Sequence, residues 1–557
     1  MEKVWLNNYP KGVVPEISLQ GKTIVSMLDE ACATYATNNA ISCHGVTKNF
    51  AQTHEYIENL ATSLAKLGVK KGDRVAVIMP NIIQYPVSIF AILKIGAIVV
   101  NINPLFTTSE IQYLLENSGA KVAIVLNLMA AKLNPLYASG LLEHVIVTKI
   151  PDPYPLIKRL VINFVIKYIK RVDTSYDYQA HNYYDMIHNT NKLTYRPEIF
   201  DTDLAFIQYT GATTGKPKGA MLSHRNVVAN YTQIHAWISP QIDGRLDEQV
   251  VIGALPLYHI FSLTSNLFTF FFAGSENVMV PNPRDIKEIV NTLSKVPFTI
   301  FNALDTLYAH LLNAPEFSMH KYPHFKYSVA GGMPARESIA KKWREVTGVM
   351  PSNCYGLTET SPAVTMNTFD GQFDGSVGFP IPSTEIQIRD VNTSKELGIG
   401  ETGIIYVRGP QVMSGYWNNP EQTAAAFDQD GWFNTKDLGY INEKGKLYLT
   451  GRLSEMIIIS GFNVYPAEVE TILDNIPQIK EAAVIGVPDA DTGEAAIAYI
   501  VLRSGRQIDE IEIRQKCKNE LASYKVPRHV IIVDELPKTL IGKIDKVALI
   551  KKHLEFV

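Results

Sequence analysis

Short apolar runs alternate with longer mixed segments through most of residues 1–430. Arg74 to Met79 reads as a strand, Tyr85 to Leu93 as a helix and Ala97 to Ile102 as a strand; a helical Thr108 to Asn117 and a strand-like Lys121 to Leu126 follow. Continuously apolar strands separated by helix-length segments predict an α/β fold with largely parallel sheets covered on both faces. Such sheets hold ligands in crevices at the carboxyl ends of their strands. After about Arg452 the pattern becomes compact α+β. Met456 to Ser460, Ala482 to Val487 and Ile497 to Leu502 read as strands, and Ala467 to Asn475 and Asp509 to Ser523 as helices. We therefore expect a large domain over 1–452 and a small one over 453–557. The chain shows no internal repeat.

Two segments need separate weighing. Leu255 to Gly274 carries no Lys, Arg, Asp or Glu, as a membrane span would. It contains Pro256, His259, Ser262, Thr264, Ser265 and Asn266, most of them costly in lipid, so a buried element behind an active site is expected instead. Ile157 to Val172 mixes Val, Ile and Phe with Lys158, Arg159, Lys167, Lys170 and Arg171. That pattern suits a helix lying on an anionic membrane surface, and equally a solvated helix packed on its own domain.

Composition narrows the partners. With 46% hydrophobic and 19% charged residues the chain is an ordinary folded protein, and a net charge of −3 gives no global signal for nucleic acid. Its 557 residues exceed what one core supports. The four cysteines, Cys32, Cys43, Cys354 and Cys517, lie far apart without metal-ligand spacing, which fits a reducing compartment. The N-terminus lacks the apolar stretch of a signal peptide.

The chemistry concentrates in Tyr209 to Gly219, Tyr-Thr-Gly-Ala-Thr-Thr-Gly-Lys-Pro-Lys-Gly, behind the strand-like Leu204 to Tyr209. Glycines let backbone N–H groups converge on an anion, and lysine adds a mobile positive charge. The run suits a triphosphate. It is not a Walker A loop, because Gly211 to Lys216 is one residue short and Pro217 stands where Ser or Thr would meet Mg²⁺.

Further pieces follow in order: Leu255-Pro-Leu-Tyr-His-Ile-Phe261, Ala330-Gly-Gly-Met-Pro334, Tyr355-Gly-Leu-Thr-Glu359, Asp437 after Gly431-Trp-Phe-Asn-Thr-Lys, Arg452, and Gly542-Lys543 near the end. Singly, each has an ordinary structural reading. His259 suits a core, Tyr355 suits packing, and Asp437 with Arg452 suits an ion pair.

Together they resemble the adenylate-forming superfamily of acyl-CoA synthetases, peptide-synthetase adenylation domains and luciferases, and are most similar to bacterial long-chain fatty acid–CoA ligases. The likeness extends to Lys3-Val-Trp-Leu-Asn7, Asn163 to Arg171, Asn282-Pro-Arg-Asp285, Gly375-Ser-Val-Gly378 and Ser460-Gly-Phe-Asn-Val-Tyr-Pro466. It implies parallel-sheet layers plus a small β-barrel-like part in the large domain, and a mobile C-terminal domain. It also implies a two-step reaction using ATP, Mg²⁺ and coenzyme A: a fatty acid carboxylate attacks the α-phosphorus, and a thiol then displaces AMP.

By motif, the resemblance assigns Thr210, Gly211, Ala212, Thr213, Thr214, Gly215 and Lys218 to the phosphates. Glu359, with Thr210, would hold Mg²⁺. Thr358 would touch phosphate or adenylate, and Tyr355 and Gly356 would flank adenine opposite Gly331, Gly332, Met333 and Pro334. Asp437 and Arg452 would meet the ribose. Lys543 would bridge carboxylate and α-phosphate, then withdraw as the small domain rotates and presents Gly461 to the pantetheine channel. His259 would line the acyl and thiol approaches. The implied setting is fatty acid β-oxidation by a monomer or homodimer; cysteine usage places it in the cytoplasm, net charge gives no nucleic-acid partner, and Ile157 to Val172 alone raises peripheral contact with an anionic membrane face as one of its two readings.

Several positions depart from the family pattern. Ala212, Ala330, Cys354 and Lys436 replace glycine or small residues, and Ser454 replaces the Asp or Lys of the hinge. A Cβ at a position needing positive φ costs about 1 kcal/mol or more. Lys436 adds a charge as well, which could pair with Asp437 or Glu455 or contact phosphate. The alternatives are therefore ligation onto a carrier protein, although no carrier-like segment follows Lys543, and a catalytically weakened acyl- or nucleotide-binding relative.

Overall fold

The computed structural model describes residues 3–169, 173–189, 192, 194–210, 216–333, 335–460, 462–489, 491–539 and 543–556. In the first sheet His181–Asn182, His144–Thr148, Val122–Leu126, Arg74–Ile78, Ile98–Asn101 and Leu204–Tyr209 run parallel. Gly219–Ser223 closes its edge antiparallel. A second sheet orders Ile300–Phe301, Val250–Gly253, Glu276–Met279 and Asn39–Cys43 in parallel, with Val46–Asn49 antiparallel at the edge.

Helix Gln84–Lys94 joins the two. Every one of its residues is buried, and one apolar core unites it with Val77 and Val99 of the first sheet and Ile41 and Met279 of the second. Burial on all sides is why its sequence is apolar rather than amphipathic. Helix Thr108–Ser118 shows how local chemistry sets the boundaries. The Thr107 side chain and Glu110 form a capping box at its start, and Gly119 at φ +69° ends it.

Leu255 to Gly274 is buried inside the protein as short helical turns around a π-helical stretch, Leu263–Phe268. Its polar groups are satisfied there: Ser262 donates to the Leu255 carbonyl at 2.7 Å, Thr264 to that of Ser361 at 2.8 Å, and Asn266 accepts from Asn302 at 2.8 Å. Among the described residues no helix is long and apolar enough to cross a membrane.

A mixed sheet of Val329–Ala330, Ser352–Gly356, Ala363–Met366 and Phe379–Pro380 leads to an antiparallel sheet of Glu385–Arg389, Gly403–Arg408, Phe433–Ile441 and Leu447–Arg452. After Arg452 the chain enters another sheet, built on the long pair Ile479–Asp489 and Gly493–Leu502 and covered by helices Pro466–Asp474, Glu510–Glu520 and Lys546–Phe556. Among the described residues, its two apolar cores draw on none before Ile457.

The segment from Ile157 forms a helix, Leu156–Phe164, followed by a π-helical turn, Val165–Ile169. Its orientation is inverted relative to an ordinary surface helix. Ile157 is 80% exposed, and Leu156, Leu160 and Val161 are exposed beside it. Lys158 instead turns inward to the His44 carbonyl at 2.5 Å, and Arg159 covers the Tyr184 ring at 3.9 Å. Lys170, Arg171 and Val172 lie outside the described residues.

Candidate active site

The hairpin of Leu204–Tyr209 and Gly219–Ser223 holds the glycine-rich loop at its tip. The Thr210 N–H donates to the Lys218 carbonyl at 2.9 Å and closes the loop's base. A Cβ at Gly219 would stand 2.5 Å from Ile207, so the close strand pairing requires glycine there. Gly211, Ala212, Thr213, Thr214 and Gly215 lie outside the described residues, as do Pro334 and Gly461. Lys218 donates to the Gln422 carboxamide at 2.8 Å, and its ammonium sits 5.0 Å from the Tyr416 ring centre. Burial and the nearby Lys436 hold Lys218 below the usual lysine range, with Glu359 opposing them.

Glu359 stands in the turn Thr358–Thr360 that follows strand Ser352–Gly356. The Tyr416 hydroxyl donates to its Oε1 at 2.8 Å, and the Met413 N–H donates to its carbonyl at 2.8 Å. Burial raises its carboxyl above the ordinary range, against that hydrogen bond. Gly356 is required by packing, since a Cβ would meet the Pro362 carbonyl at 2.0 Å. Gly331 is confined likewise: a Cβ would lie 2.6 Å from the Cys354 sulfur and 2.8 Å from Phe261, while Gly332 uses φ +75°.

Asp437 and Arg452 are directly opposed across two antiparallel strands. Arg452 Nε lies 3.0 Å from Asp437 Oδ1, and the Tyr355 hydroxyl donates to Oδ2 at 2.8 Å. Burial raises the Asp437 carboxyl, opposed by Arg452, by the Tyr355 bond and by Lys543. Lys543 of the C-terminal part thus reaches this group in the present arrangement. Burial and Arg452 push its ammonium down to about 8, with Asp437 and Glu455 pulling the other way. Burial, then Lys543, pushes the His259 imidazole down to about 4, so it is neutral at ordinary pH. Its Nδ1 accepts from the Phe261 N–H at 3.3 Å.

One cavity of about 2500 Å³ brings these groups together. Thr210, Lys218, His259, Thr358, Asp437 and Lys543 all line it, as do Gly332, Met333, Tyr355, Gly356, Glu359 and Arg452. An apolar part is walled by Ile234, Ile238, Val329, Phe369 and Val377. The large and small parts of the chain are tied beside it. Arg336, paired with Asp305 at 2.7 Å, donates to the Lys480 carbonyl at 3.1 Å. Within the small part, Lys546 pairs with Glu455 at 3.0 Å and Glu470 at 2.8 Å.

The departures prove unequal. Ala330 and Cys354 lie in strands without positive φ, and Ser454 lies in a short helical turn, also without it. Only Lys436 among these described positions takes the left-handed conformation, at φ +61°, a strain of about 1 kcal/mol. Nor does it pair with Asp437 or Glu455, whose partners are Arg452 and Lys546. Tyr416 and Gln422, which hold Glu359 and Lys218, escaped the sequence reading. The only signal was the polar-aromatic Gly415-Tyr-Trp-Asn-Asn-Pro420 before helix Pro420–Ala426.

Residues 28–417 match the AMP-binding enzyme family and residues 468–543 its C-terminal domain. A protein of Escherichia coli O157:H7 named long-chain-fatty-acid–CoA ligase is 40% identical over 549 residues, covering 98% of this chain and 97% of its own. The structure is similar to ATP-bound MatB from Rhodopseudomonas palustris, with a TM-score of 0.83 at 29% identity, covering 96% of this chain and 99% of that one. Against apo MatB from the same organism the TM-score is 0.75 at 28% identity, with 96% and 100% covered.

Proposed function

The chain belongs to the AMP-binding enzyme family, and from that membership we propose that it is an ATP-dependent ligase that activates a long-chain fatty acid as acyl-AMP and passes the acyl group to coenzyme A. The observation that carries this reading is the meeting of Lys543, from the C-terminal part, with Asp437 and Arg452 in the cavity that Lys218 and Glu359 also line. The apolar part of the same cavity supports a long acyl chain.

In the first step a carboxylate oxygen bonds to the α-phosphorus and pyrophosphate leaves. Two anions must approach each other, so neutralising charge is the main requirement. Lys218 and Lys543 supply cations from opposite sides of the chain. Lys543, depressed to about 8 by burial, regains its full charge as the anions arrive. Asp437 accepts from the ribose hydroxyls, and Arg452 and Tyr355 hold its two oxygens in place. Tyr355, with Gly331 to Met333 opposite, encloses the base.

A hard cation prefers oxygen donors, and the Glu359 carboxylate and Thr210 hydroxyl on the cavity wall fit Mg²⁺. When bound, the ion supplies charge neutralisation to the phosphates. In the second step the thiol sulfur bonds to the acyl carbon and AMP leaves. That step needs the thiol to reach a centre now closed by Lys543, so the small domain rotates between the two steps. The greater likeness to ATP-bound than to apo MatB supports assigning the present arrangement to the first step. The outward apolar face of helix Leu156–Phe164 supports peripheral contact with a membrane, the reservoir of such a substrate.

The test gives purified protein ATP, Mg²⁺, fatty acids of graded length and CoA, following AMP, pyrophosphate and thioester. Acyl-CoA from long chains is expected. No thioester with any chain length refutes the reading, and adenylate without CoA turnover redirects it to a carrier-protein acceptor.

A further inference from the structure

We propose that Lys436 is a substrate-binding residue whose ammonium joins Lys218 in a two-cation grip on the phosphate chain of ATP. The inference rests on the nucleotide reading of the cavity and adds a residue to it.

Three observations carry it. The backbone of Lys436 is held, not merely tolerated, in its left-handed conformation. Between Ile404 and Tyr406 on one strand and Asn434 and Leu438 on the other, the pairing slips, so Thr435, Lys436 and Asp437 form a bulge. The Asn434 carboxamide accepts the Lys436 N–H at 2.9 Å and donates to the Tyr406 hydroxyl at 2.9 Å, locking the turn. Bulges re-aim a side chain, and this one sends a lysine to the cavity wall. A residue kept in a strained conformation beside a site points to a role there.

The second observation is charge. Lys436 is exposed, and among the described residues no carboxylate pairs with it. Of the carboxylates on the same cavity wall, Asp437 is engaged by Arg452, Glu455 by Lys546, and Glu359 by the Tyr416 hydroxyl. The third is its neighbour. Lys218, on the same wall, has only the neutral Gln422 carboxamide as its hydrogen-bond acceptor among the described residues, and it feels the repulsion of Lys436. Two lysines face one cavity, and Glu359, which pulls against the repulsion at Lys218, is already engaged by Tyr416, so an incoming polyanion stabilises the two cations together. Lys436 adjoins Asp437, read as the ribose contact, and the Lys218 carbonyl closes the base of the glycine-rich loop at Thr210, which suits a phosphate chain rather than the base.

The experiment measures binding of ATP, inorganic pyrophosphate and adenosine to the full chain by calorimetry, all with Mg²⁺. Lys436→Met keeps length and removes charge; Lys436→Arg keeps charge; Lys436→Gly also removes the charge and relieves the backbone, so a folded variant is available. The expected result is about tenfold weaker ATP and pyrophosphate binding in the Met and Gly variants, unchanged adenosine binding, and recovery in the Arg variant. Unchanged pyrophosphate and ATP binding in the Met and Gly variants overturns the proposal. So does an equal loss for adenosine, which would make Lys436 a support for Asp437. A wild-type protein that binds no ATP overturns the nucleotide reading itself.

Discussion

Tyr416→Phe isolates one hydroxyl in the site. The ring stays, and with it the packing and the Lys218 ammonium 5.0 Å from its centre. What disappears is the 2.8 Å hydrogen bond to Glu359 Oε1. A hydrogen bond to a charged acceptor contributes ~1.5–3 kcal/mol, and the half-buried setting of Glu359 argues for the lower end. A loss of ~1.5 kcal/mol is about tenfold in an equilibrium constant. If Glu359 holds Mg²⁺, the variant needs about tenfold more Mg²⁺ for half-maximal ATP–pyrophosphate exchange.

The same bond bears on pH. Burial already raises the Glu359 carboxyl, and losing a donor to its ionised form raises it further. A group whose folded pKa lies above its unfolded value stabilises the fold below the unfolded value, and that contribution is lost as pH rises through the folded one. The melting-temperature deficit of the variant therefore grows as pH rises from the ordinary carboxyl range through the raised folded value, while the acid limb of exchange moves upward. Equal activity loss at every Mg²⁺ concentration and pH, with a constant melting deficit, would refute the reasoning and leave Tyr416 a packing residue.

Other outcomes follow from the same geometry. Lys543→Ala should lower adenylate formation by about 10²–10³, the effect of removing one preorganised charge donor, and spare thioester formation from supplied acyl-adenylate; equal losses would contradict a lysine that serves only the first step. Because burial and Arg452 push Lys543 down to about 8, ATP binding at about pH 8.5 should take up roughly three-quarters of a proton, seen calorimetrically in buffers of different ionisation enthalpy and absent in Lys543→Ala. Ile157→Glu with Leu160→Glu should abolish flotation with anionic vesicles without changing turnover on a soluble acyl substrate; undiminished flotation would clear this helix of the role.

How much was legible in the sequence depended on range. Strand and helix periods, the Thr107 capping box and the order of the site motifs are local, and each reads within a few residues. So does the family likeness, because the motifs sit in order along nearly the whole chain. Charge spacing in Ile157 to Val172 was also visible, but not which face looks outward. That was settled by His44 and Tyr184, distant residues that draw Lys158 and Arg159 inward.

The departures divide in the same way. Ala330, Cys354, Lys436 and Ser454 looked alike as replacements, since a sequence carries no φ. Folding separated them: a strand accepts a Cβ, whereas the bulge at Lys436 imposes a left-handed turn. Tyr416 and Gln422 carried no motif, because their partners Glu359 and Lys218 are remote in sequence and meet them only after the strands pair. Residue order along the chain sets which chemistry this protein contains. Which charges meet is a matter of folding, because hydrogen bonds and ion pairs form across space between residues whose separation along the chain says nothing of their distance.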